Sequence, residues 1–243
     1  MNKSPIATGK VIAGNVTTGT KSEETRTRIL EAALALFRKR SFATTTMRDI
    51  AKEAEVALGA AYYYFESKDA LVTAFYERAH RELTPLAEQA LARAKDLEGR
   101  LRAVLTVKFK YFAPNRSLMA ALSAHIDPQN PLSPFSPDMK TIRDQDIALF
   151  ARTLEGSKVR VSEDLKQHLP RLLWLYQMGL LLFWVYDRSP RQKRTTQLFD
   201  KSLSIVANLI KLSSFPLLRP VRKVATDLLE TIYGDEPALG LKS

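Results

Sequence analysis

The chain has 243 residues, 45% hydrophobic and 26% charged, a balance typical of an ordinary globular protein. It contains no cysteine, which excludes disulfides and thiolate metal sites and permits a reducing, cytoplasmic location. The formal net charge of +11 favours polyanionic partners, either nucleic acid or an anionic membrane surface. Glycine is scarce, at 9 residues, so the composition favours helix.

Two segments bear on targeting and membranes. Residues 1–22 are polar and have no apolar stretch of signal-peptide length, so we predict a flexible N-terminal arm. The longest apolar run, residues 172–186, is shorter than the roughly 18 residues that span a bilayer, and Gln177 interrupts it. We therefore predict a buried helix or a subunit interface there, and no membrane association.

The first elements form a predicted three-helix unit over residues 23–80. Apolar residues recur at helical spacing in the first helix, residues 23–40. These residues are Ile29, Ala33, Leu36 and Phe37. A capping-box pattern from Thr46 to Asp49 begins a second, short helix, and a third short helix follows a tight turn. This arrangement predicts a helix-turn-helix motif over residues 46–65.

The outer face of the third helix distinguishes a DNA-binding motif from an ordinary helical hairpin. Its outer face is predicted to hold Gly59, Ala60, Tyr63 and Tyr64, and its inner face Leu58, Ala61, Tyr62 and Phe65. A packed bundle would carry lysine and glutamate on the outside. Small residues allow close approach to a partner, and tyrosine hydroxyls donate hydrogen bonds to phosphate oxygens, so we predict DNA binding.

Residues 23–80 resemble the N-terminal domain of the TetR (tetracycline-repressor) family of bacterial transcription regulators. The residues that carry the resemblance, in order, are Ile29, Ala33, Phe37, Thr45 to Ala51, Gly59, Tyr62, Phe65, Ser67, Lys68 and Leu71. The resemblance implies that the third helix enters the major groove. The DNA-contacting residues that it implies are Thr45, Thr46, Arg48, Ala57, Leu58, Gly59, Ala60, Tyr62, Tyr63, Tyr64 and Lys68.

Three residues depart from the family pattern. Ser41 and Glu55 stand where glycine is usual, so each either adopts a positive φ at some cost or its turn differs. Ala57 replaces a frequent serine and removes a candidate helix N-cap. The reading helix also lacks the residues that bind bases in a bidentate manner. We predict specificity from thymine methyl contacts, Tyr63, Arg48 and DNA shape.

The rest of the chain is predicted to be helical, which makes the fold all-α. A C-terminal domain over residues 81–233 would bind a ligand and dimerise, followed by a tail at 234–243. Its predicted helices cover about 97–112, 115–126, 138–155, 162–187, 191–213 and 217–233. The proline-rich segment 127–137 is the clearest loop. The Thr84-Pro85 pair predicts a helix kink or a restart.

The resemblance implies a ligand cavity in this C-terminal half. The candidate lining residues are Phe109, Phe112, Met119, Leu122, His125, Phe150, Trp174, Gln177 and Met178. Most of them also fit a plain hydrophobic core. His125 and Gln177 are the candidate polar contacts in an otherwise apolar pocket. By position in the family, residues of about 165–213 would form the homodimer interface.

Enzymatic activity is not expected, because no catalytic constellation, phosphate-binding loop or metal motif occurs. Glu77-x-x-His80 has the spacing of helical di-iron proteins, but the partner residues are missing and we predict a solvated pair. No cofactor or metal is predicted. The expected function is a ligand-responsive, homodimeric DNA-binding repressor released from a near-palindromic operator by a small apolar or amphipathic molecule. The alternative is a helical small-molecule or lipid carrier with a vestigial DNA-binding domain.

Overall fold

The structure is a computed structural model that describes residues 17–215, 217 and 219–233. Within these residues every regular element is a helix, which confirms the all-α fold. The helices are α1 (Thr17–Lys39), α2 (Met47–Glu53), α3 (Leu58–Tyr64), α4 (Lys68–Arg93), α5 (Leu97–Phe112), α6 (Arg116–Leu122), α7 (Lys140–Glu155), α8 (Glu163–Lys166), α9 (Leu169–Tyr186), α10 (Lys193–Leu212) and α11 (Arg219–Tyr233). No described helix is long and apolar enough to span a bilayer.

Helices α1 to α3 form the helix-turn-helix unit. Thr46 caps α2 in a capping box, in which its hydroxyl accepts from the Asp49 N–H and its own N–H donates to the Asp49 carboxylate. Ser67 caps α4 by accepting from the Ala70 N–H. The core of the unit joins side chains from all these helices. They include Ile29, Phe37, Ile50, Ala61, Phe65, Leu71 and Phe75.

Helix α1 begins at Thr17, six residues earlier than the sequence predicted. Residues 17–22 of the expected arm are therefore helical, while residues 1–16 lie outside the described residues. Near this extension, the Ser22 hydroxyl lies 3.2 Å from the Tyr64 hydroxyl at the end of α3, a contact that helical periodicity cannot reveal.

Helix α4 connects the two halves of the molecule without interruption. It runs through Pro85, so of the kink or restart predicted at Thr84-Pro85 the restart does not occur. The expected domain boundary at residues 80/81 falls inside this helix. Pro85 has no N–H, so the carbonyl four residues before it loses its usual helical donor. The Thr84 hydroxyl donates to the carbonyl of the preceding residue, His80, at 2.8 Å.

The C-terminal half packs α5, α7, α9 and α10 around a second core. Its buried residues include Leu101, Leu105, Phe150, Leu173 and Leu203. The expected helix at 162–187 is divided into α8 and α9, because Pro170 occupies the first turn of a new helix. The short α6 lies between α1 and α9. The Arg38 guanidinium donates to the Asn115 amide oxygen at 3.0 Å and links α1 to the start of α6.

Candidate functional site

The outer surface of α3 is formed by two tyrosines and a glycine. The Tyr63 side chain is 82% exposed and that of Tyr62 is 49% exposed. Gly59 faces open space, since a Cβ added there would meet nothing within 4 Å. This part of the surface is therefore free to receive a partner at short distance.

The predicted positions of Tyr62 and Tyr64 were interchanged. Tyr64 was expected on the outer face but packs against the core, and Tyr62 was expected inside but is exposed. The buried stripe passes through Ala61, Tyr64 and Phe65, because the extended α1 offers Ser22 to the Tyr64 hydroxyl. Spacing alone allowed both arrangements.

Two of the expected phosphate-contacting residues are engaged within the protein. The Thr45 side chain is 1% exposed and its hydroxyl donates to the Ser41 carbonyl at 2.7 Å, so it does not fit a phosphate contact. The Lys68 ammonium donates to the Phe42 carbonyl at 2.7 Å and lies 4.6 Å from the centre of the Phe42 ring. Lys68 therefore holds the α1–α2 loop in place. Thr46 and Arg48 remain exposed at the start of α2.

Both residues that stand where the family usually has glycine adopt a positive φ. The φ angle is 115° at Ser41 and 53° at Glu55. After α2, the Glu55 N–H donates to Lys52 and the Val56 N–H donates to Ala51, which is the hydrogen-bond pattern of a Schellman motif. Glu55 occupies the position at which that motif favours glycine. The turn keeps the backbone geometry of the motif, and the positive φ of Glu55 is the strain that results.

The positions predicted to read bases are as chemically plain in the structure as in the sequence. Ala57 and Gly59 are exposed, whereas Leu58 and Ala60 are half-buried. Ala57 precedes α3 with an extended backbone and no side-chain cap. This end of α3 therefore presents methyl groups and backbone atoms to a binding partner.

A cavity of about 380 Å³ opens between α4, α5, α6, α7 and α9. Seven of the nine predicted residues line it, namely Phe112, Met119, Leu122, His125, Trp174, Gln177 and Met178. Phe109 does not, because it packs against the rings of Trp184 and Phe199. Phe150 does not either, because it is fully buried in the second core.

One end of the cavity is polar and was not predicted. The Lys108 ammonium lies 2.6 Å from Asp146 Oδ1, and Lys108 is only 3% exposed. The Gln177 side-chain amide donates to Asp146 Oδ2 at 3.3 Å. Tyr76 and His80 complete this end. The sequence did hold a signal, because a lysine on the same helix face as Val104, Leu105 and Phe112 interrupts an apolar stripe.

Burial keeps the other titratable groups at this end neutral. Desolvation, with a smaller effect from the Asp146 carboxylate, raises the pKa of the Tyr76 phenol well above its usual range. Desolvation also lowers the pKa of the His80 imidazole, against the opposing effect of Asp146. The Lys108–Asp146 pair therefore supplies the only charges among the side chains grouped at this polar end.

The Glu77–His80 pair was expected to be solvated, and this was wrong for His80. His80 is half-buried and lines the cavity, whereas Glu77 is exposed. Across the described residues there is no cluster of three or more side chains that could hold a metal ion.

The proline-rich loop closes the cavity on one side. Leu132, Pro134 and Phe135 line it. The Arg143 guanidinium donates to the carbonyls of Pro134 and Ser136 at 2.9 and 3.0 Å, which fixes the loop against α7.

Helices α9 and α10 leave apolar side chains exposed within the expected dimer interface. Along α10 these recur at near-heptad spacing, and they are Leu198, Ile205, Leu209 and Leu212. On α9 they are Leu182, Phe183 and Tyr186. Each is between 37% and 61% exposed in the single chain. A contiguous apolar surface of this kind is typical of a protein–protein contact.

Two family models match the chain. One, described as "Bacterial regulatory proteins, tetR family", matches residues 29–75, and the other, "Tetracyclin repressor-like, C-terminal domain", matches residues 100–228. Among curated proteins, the probable HTH-type transcriptional regulator ArpR of Pseudomonas putida is 41% identical over 81 residues, covering 33% of this chain and 36% of ArpR. The HTH-type transcriptional regulator TtgR, also of Pseudomonas putida, is 41% identical over 78 residues, covering 32% and 35%. The chain thus aligns with about a third of the length of these relatives.

Solved structures of similar fold cover much more of the chain. The fatty acid degradation regulator FadR of Bacillus halodurans has a TM-score of 0.59 at 16% identity, over 75% of this chain and 94% of FadR. FadR of Bacillus subtilis, solved with stearoyl-CoA, has a TM-score of 0.58 at 15% identity, over 74% and 97%. At such identities the likeness shows a shared fold.

Proposed function

Because the chain belongs to the TetR family of bacterial regulatory proteins, we propose that it is a homodimeric, ligand-responsive repressor that binds a near-palindromic DNA operator. A small apolar or amphipathic molecule in the cavity would release it. The proposed site of action is the cytoplasm, where it would meet the chromosome. Within the proposal, residues 23–80 hold the DNA-binding unit and α5 to α10 hold the ligand and the partner subunit.

One observation carries the DNA-binding proposal. In a capped helix-turn-helix, α3 presents the Tyr63 ring 82% exposed beside the open backbone of Gly59. An exposed phenol next to a helix surface without side chains suits insertion into a groove, where the hydroxyl can donate to phosphate. A helix buried in a bundle would have enclosed the ring.

The apolar surface of α9 and α10 supports the dimer. Two copies related by a two-fold axis would bury it against itself. Dimeric helix-turn-helix proteins place their reading helices about 34–36 Å apart, in successive major grooves. The half-sites of the operator would be separated accordingly.

The cavity walls support a coupling between ligand and DNA. Tyr76, His80 and Leu83 of α4 line the cavity, and α4 begins beside the helix-turn-helix. Met119 and Leu122 of α6 line it too, and Arg38 links α1 to the start of α6. A ligand that preferred one dimer conformation by about 1–3 kcal/mol would change operator affinity about 5- to 150-fold.

The test measures operator binding against salt concentration, with DNA fragments selected from the host genome. For several phosphate contacts, the logarithm of the association constant should fall steeply against the logarithm of salt concentration. Tyr63→Ala should weaken binding about tenfold or more, and Tyr63→Phe separates the hydroxyl from the ring. Leu86→Ala, which alters an exposed apolar residue on α4, is the control.

The carrier alternative gives a different result. Its best support is the lack of base-binding side chains at Ala57 to Ala60, together with the negative charge of Glu55 in the motif turn. A carrier would bind small molecules with no salt-dependent affinity for duplex DNA. Failure of the purified chain to bind selected duplexes in dilute buffer would therefore reject the repressor and favour the carrier.

A further inference from the structure

We infer that the cavity takes a neutral amphipathic molecule whose polar end donates a hydrogen bond, such as an alcohol or phenol, to Gln177 Oε1. This ligand class rests on the proposed ligand-responsive function and narrows it. A free carboxylate and the thioester of an acyl-CoA lack such a donor, so we expect both to bind more weakly.

The orientation of the Gln177 amide is fixed by its neighbour. Gln177 is 2% exposed and its Nε2 donates to Asp146 Oδ2 at 3.3 Å. The Asp146 carboxylate, paired with Lys108, can only accept hydrogen bonds, so the nitrogen of the amide must face it. The oxygen must then point the other way. Swapping the two amide atoms would set two acceptors against each other.

Gln177 Oε1 is thereby left as a buried acceptor. Among the described residues no donor reaches it. Buried carbonyl oxygens are nearly always hydrogen-bonded, because leaving one without a donor costs free energy. Since Gln177 lines the cavity, a donor on the ligand can fill this place.

The charges at this end select a neutral ligand. Lys108 and Asp146 neutralise each other at 2.6 Å, and burial keeps Tyr76 and His80 uncharged. A carboxylate beside Gln177 would face the oxygens of both Gln177 and Asp146, and the nearest cation, Lys108, already lies 2.6 Å from the Asp146 carboxylate. An ammonium there would lie close to the Lys108 ammonium. A hydroxyl avoids both conflicts.

The rest of the lining does not suit an acyl-CoA. Its other permanent cation, Arg143, already donates to the carbonyls of Pro134 and Ser136. The remaining wall is largely aliphatic and aromatic, with Leu83 and Trp174 among its members. Each permanent cation of the lining thus already has a partner within the protein, and a cavity of about 380 Å³ suits a compact apolar body.

The test compares an alcohol with its isomeric ether, and then with a carboxylate and an acyl-CoA. The full chain is titrated by calorimetry with decan-1-ol, with 1-methoxynonane, which keeps the oxygen but lacks the donor, with decanoate and with lauroyl-CoA. Decan-1-ol should bind about tenfold tighter than 1-methoxynonane, the difference expected from one buried hydrogen bond, and tighter than decanoate and lauroyl-CoA. This comparison in the native protein needs no variant to fold.

Gln177→Leu should remove the preference for the alcohol over the methyl ether, while Gln167→Leu, the same substitution at an exposed glutamine outside the lining, should keep it. Equal binding of the alcohol and the ether, tighter binding of decanoate or lauroyl-CoA, or no binding of decan-1-ol overturns the inference. Operator binding is measured separately on the same preparation. If it fails while the alcohol preference holds, the repressor proposal falls and the ligand class stands.

Discussion

At the scale of single residues, Glu55 bears a backbone strain that the fold could avoid. Its φ of 53° lies in the left-handed region, where a side chain costs about 1 kcal/mol or more. The neighbouring hydrogen bonds from Glu55 and Val56 satisfy two carbonyls at the end of α2. Because these two hydrogen bonds set the geometry of the turn, Glu55 is held at a strained φ angle.

Glu55→Gly should stabilise the protein by about 1 kcal/mol, because glycine relieves the strain and only part of the gain is lost to unfolded-chain entropy. The measurement is urea denaturation, where the midpoint should rise at constant slope. Glu55→Ala removes the charge but keeps the Cβ, so it should not stabilise. Equal midpoints for the Gly and Ala variants would show that strain is not the cause.

His80 gives the stability a defined dependence on pH. Desolvation lowers its pKa in the folded state below the ordinary value of about 6.5, so the unfolded chain binds a proton that the folded chain resists. The contribution of His80 to stability is complete above about pH 6.5 and is lost as the pH falls below it. Between pH 7.5 and 5.5, the melting temperature should fall less in His80→Gln than in the native protein.

His168→Gln is the matched control for this pH effect, because it also replaces a half-buried histidine but lies outside the cavity lining. Its melting temperature should follow that of the native protein across the same pH range. If His80→Gln does so as well, the imidazole is not the group that resists the proton.

The residue scale also shows what the sequence could and could not predict. The positive φ at Ser41 and Glu55 was predictable, because glycine was missing where a helix ends. The Lys108–Asp146 pair was not, since the two residues are far apart along the chain and meet only when α5 packs against α7. Thr45 was misjudged because its hydroxyl turns back to the Ser41 carbonyl.

At the scale of helices, the sequence predicted where most helices lie and less well where they end. The capping box at Thr46 and the cap at Ser67 were readable because both ends of each bond lie within four residues. The orientation of Tyr64 was not, because its hydroxyl meets that of Ser22, 42 residues away along the chain. Long-range contacts thus decided the details that local patterns left open.

The missing cap of α3 leads to a prediction for that helix. Ala57 has the extended backbone of an N-cap but no side-chain acceptor. Ala57→Ser should stabilise the protein by about 1 kcal/mol, because its hydroxyl can accept from a free N–H of the first turn. Thermal and urea unfolding measure the change. Ala57→Val tolerates the same backbone but has no acceptor, and a gain of the same size there would argue against capping.

At the scale of the whole molecule, the exposed apolar stripe on α10 lies in the proposed dimer interface. Ile205 is 59% exposed in the single chain. Ile205→Glu would place a charge in the proposed interface, so dimerisation should weaken by about tenfold or more and operator affinity should fall with it. Analytical ultracentrifugation measures the first effect and a gel-shift titration the second.

Leu86→Glu is the control for the dimer prediction, because Leu86 is also an exposed apolar residue but lies on α4. It should leave the sedimentation of the protein unchanged. A dimer that persists in Ile205→Glu would place the interface elsewhere on the surface.

The unbroken course of α4 has a mechanical consequence. About 15 residues separate Lys68, which secures the α1–α2 loop, from Leu83 in the cavity wall, a helical distance of about 22 Å. Tilting such a rod by about 5° around its cavity end would carry its other end through about 2 Å. That exceeds the tolerance of a hydrogen bond to phosphate. In the proposed repressor, a ligand that displaces the cavity-lining part of α4 by much less than the width of a methyl group would thus misalign the DNA-binding units of both subunits on the operator.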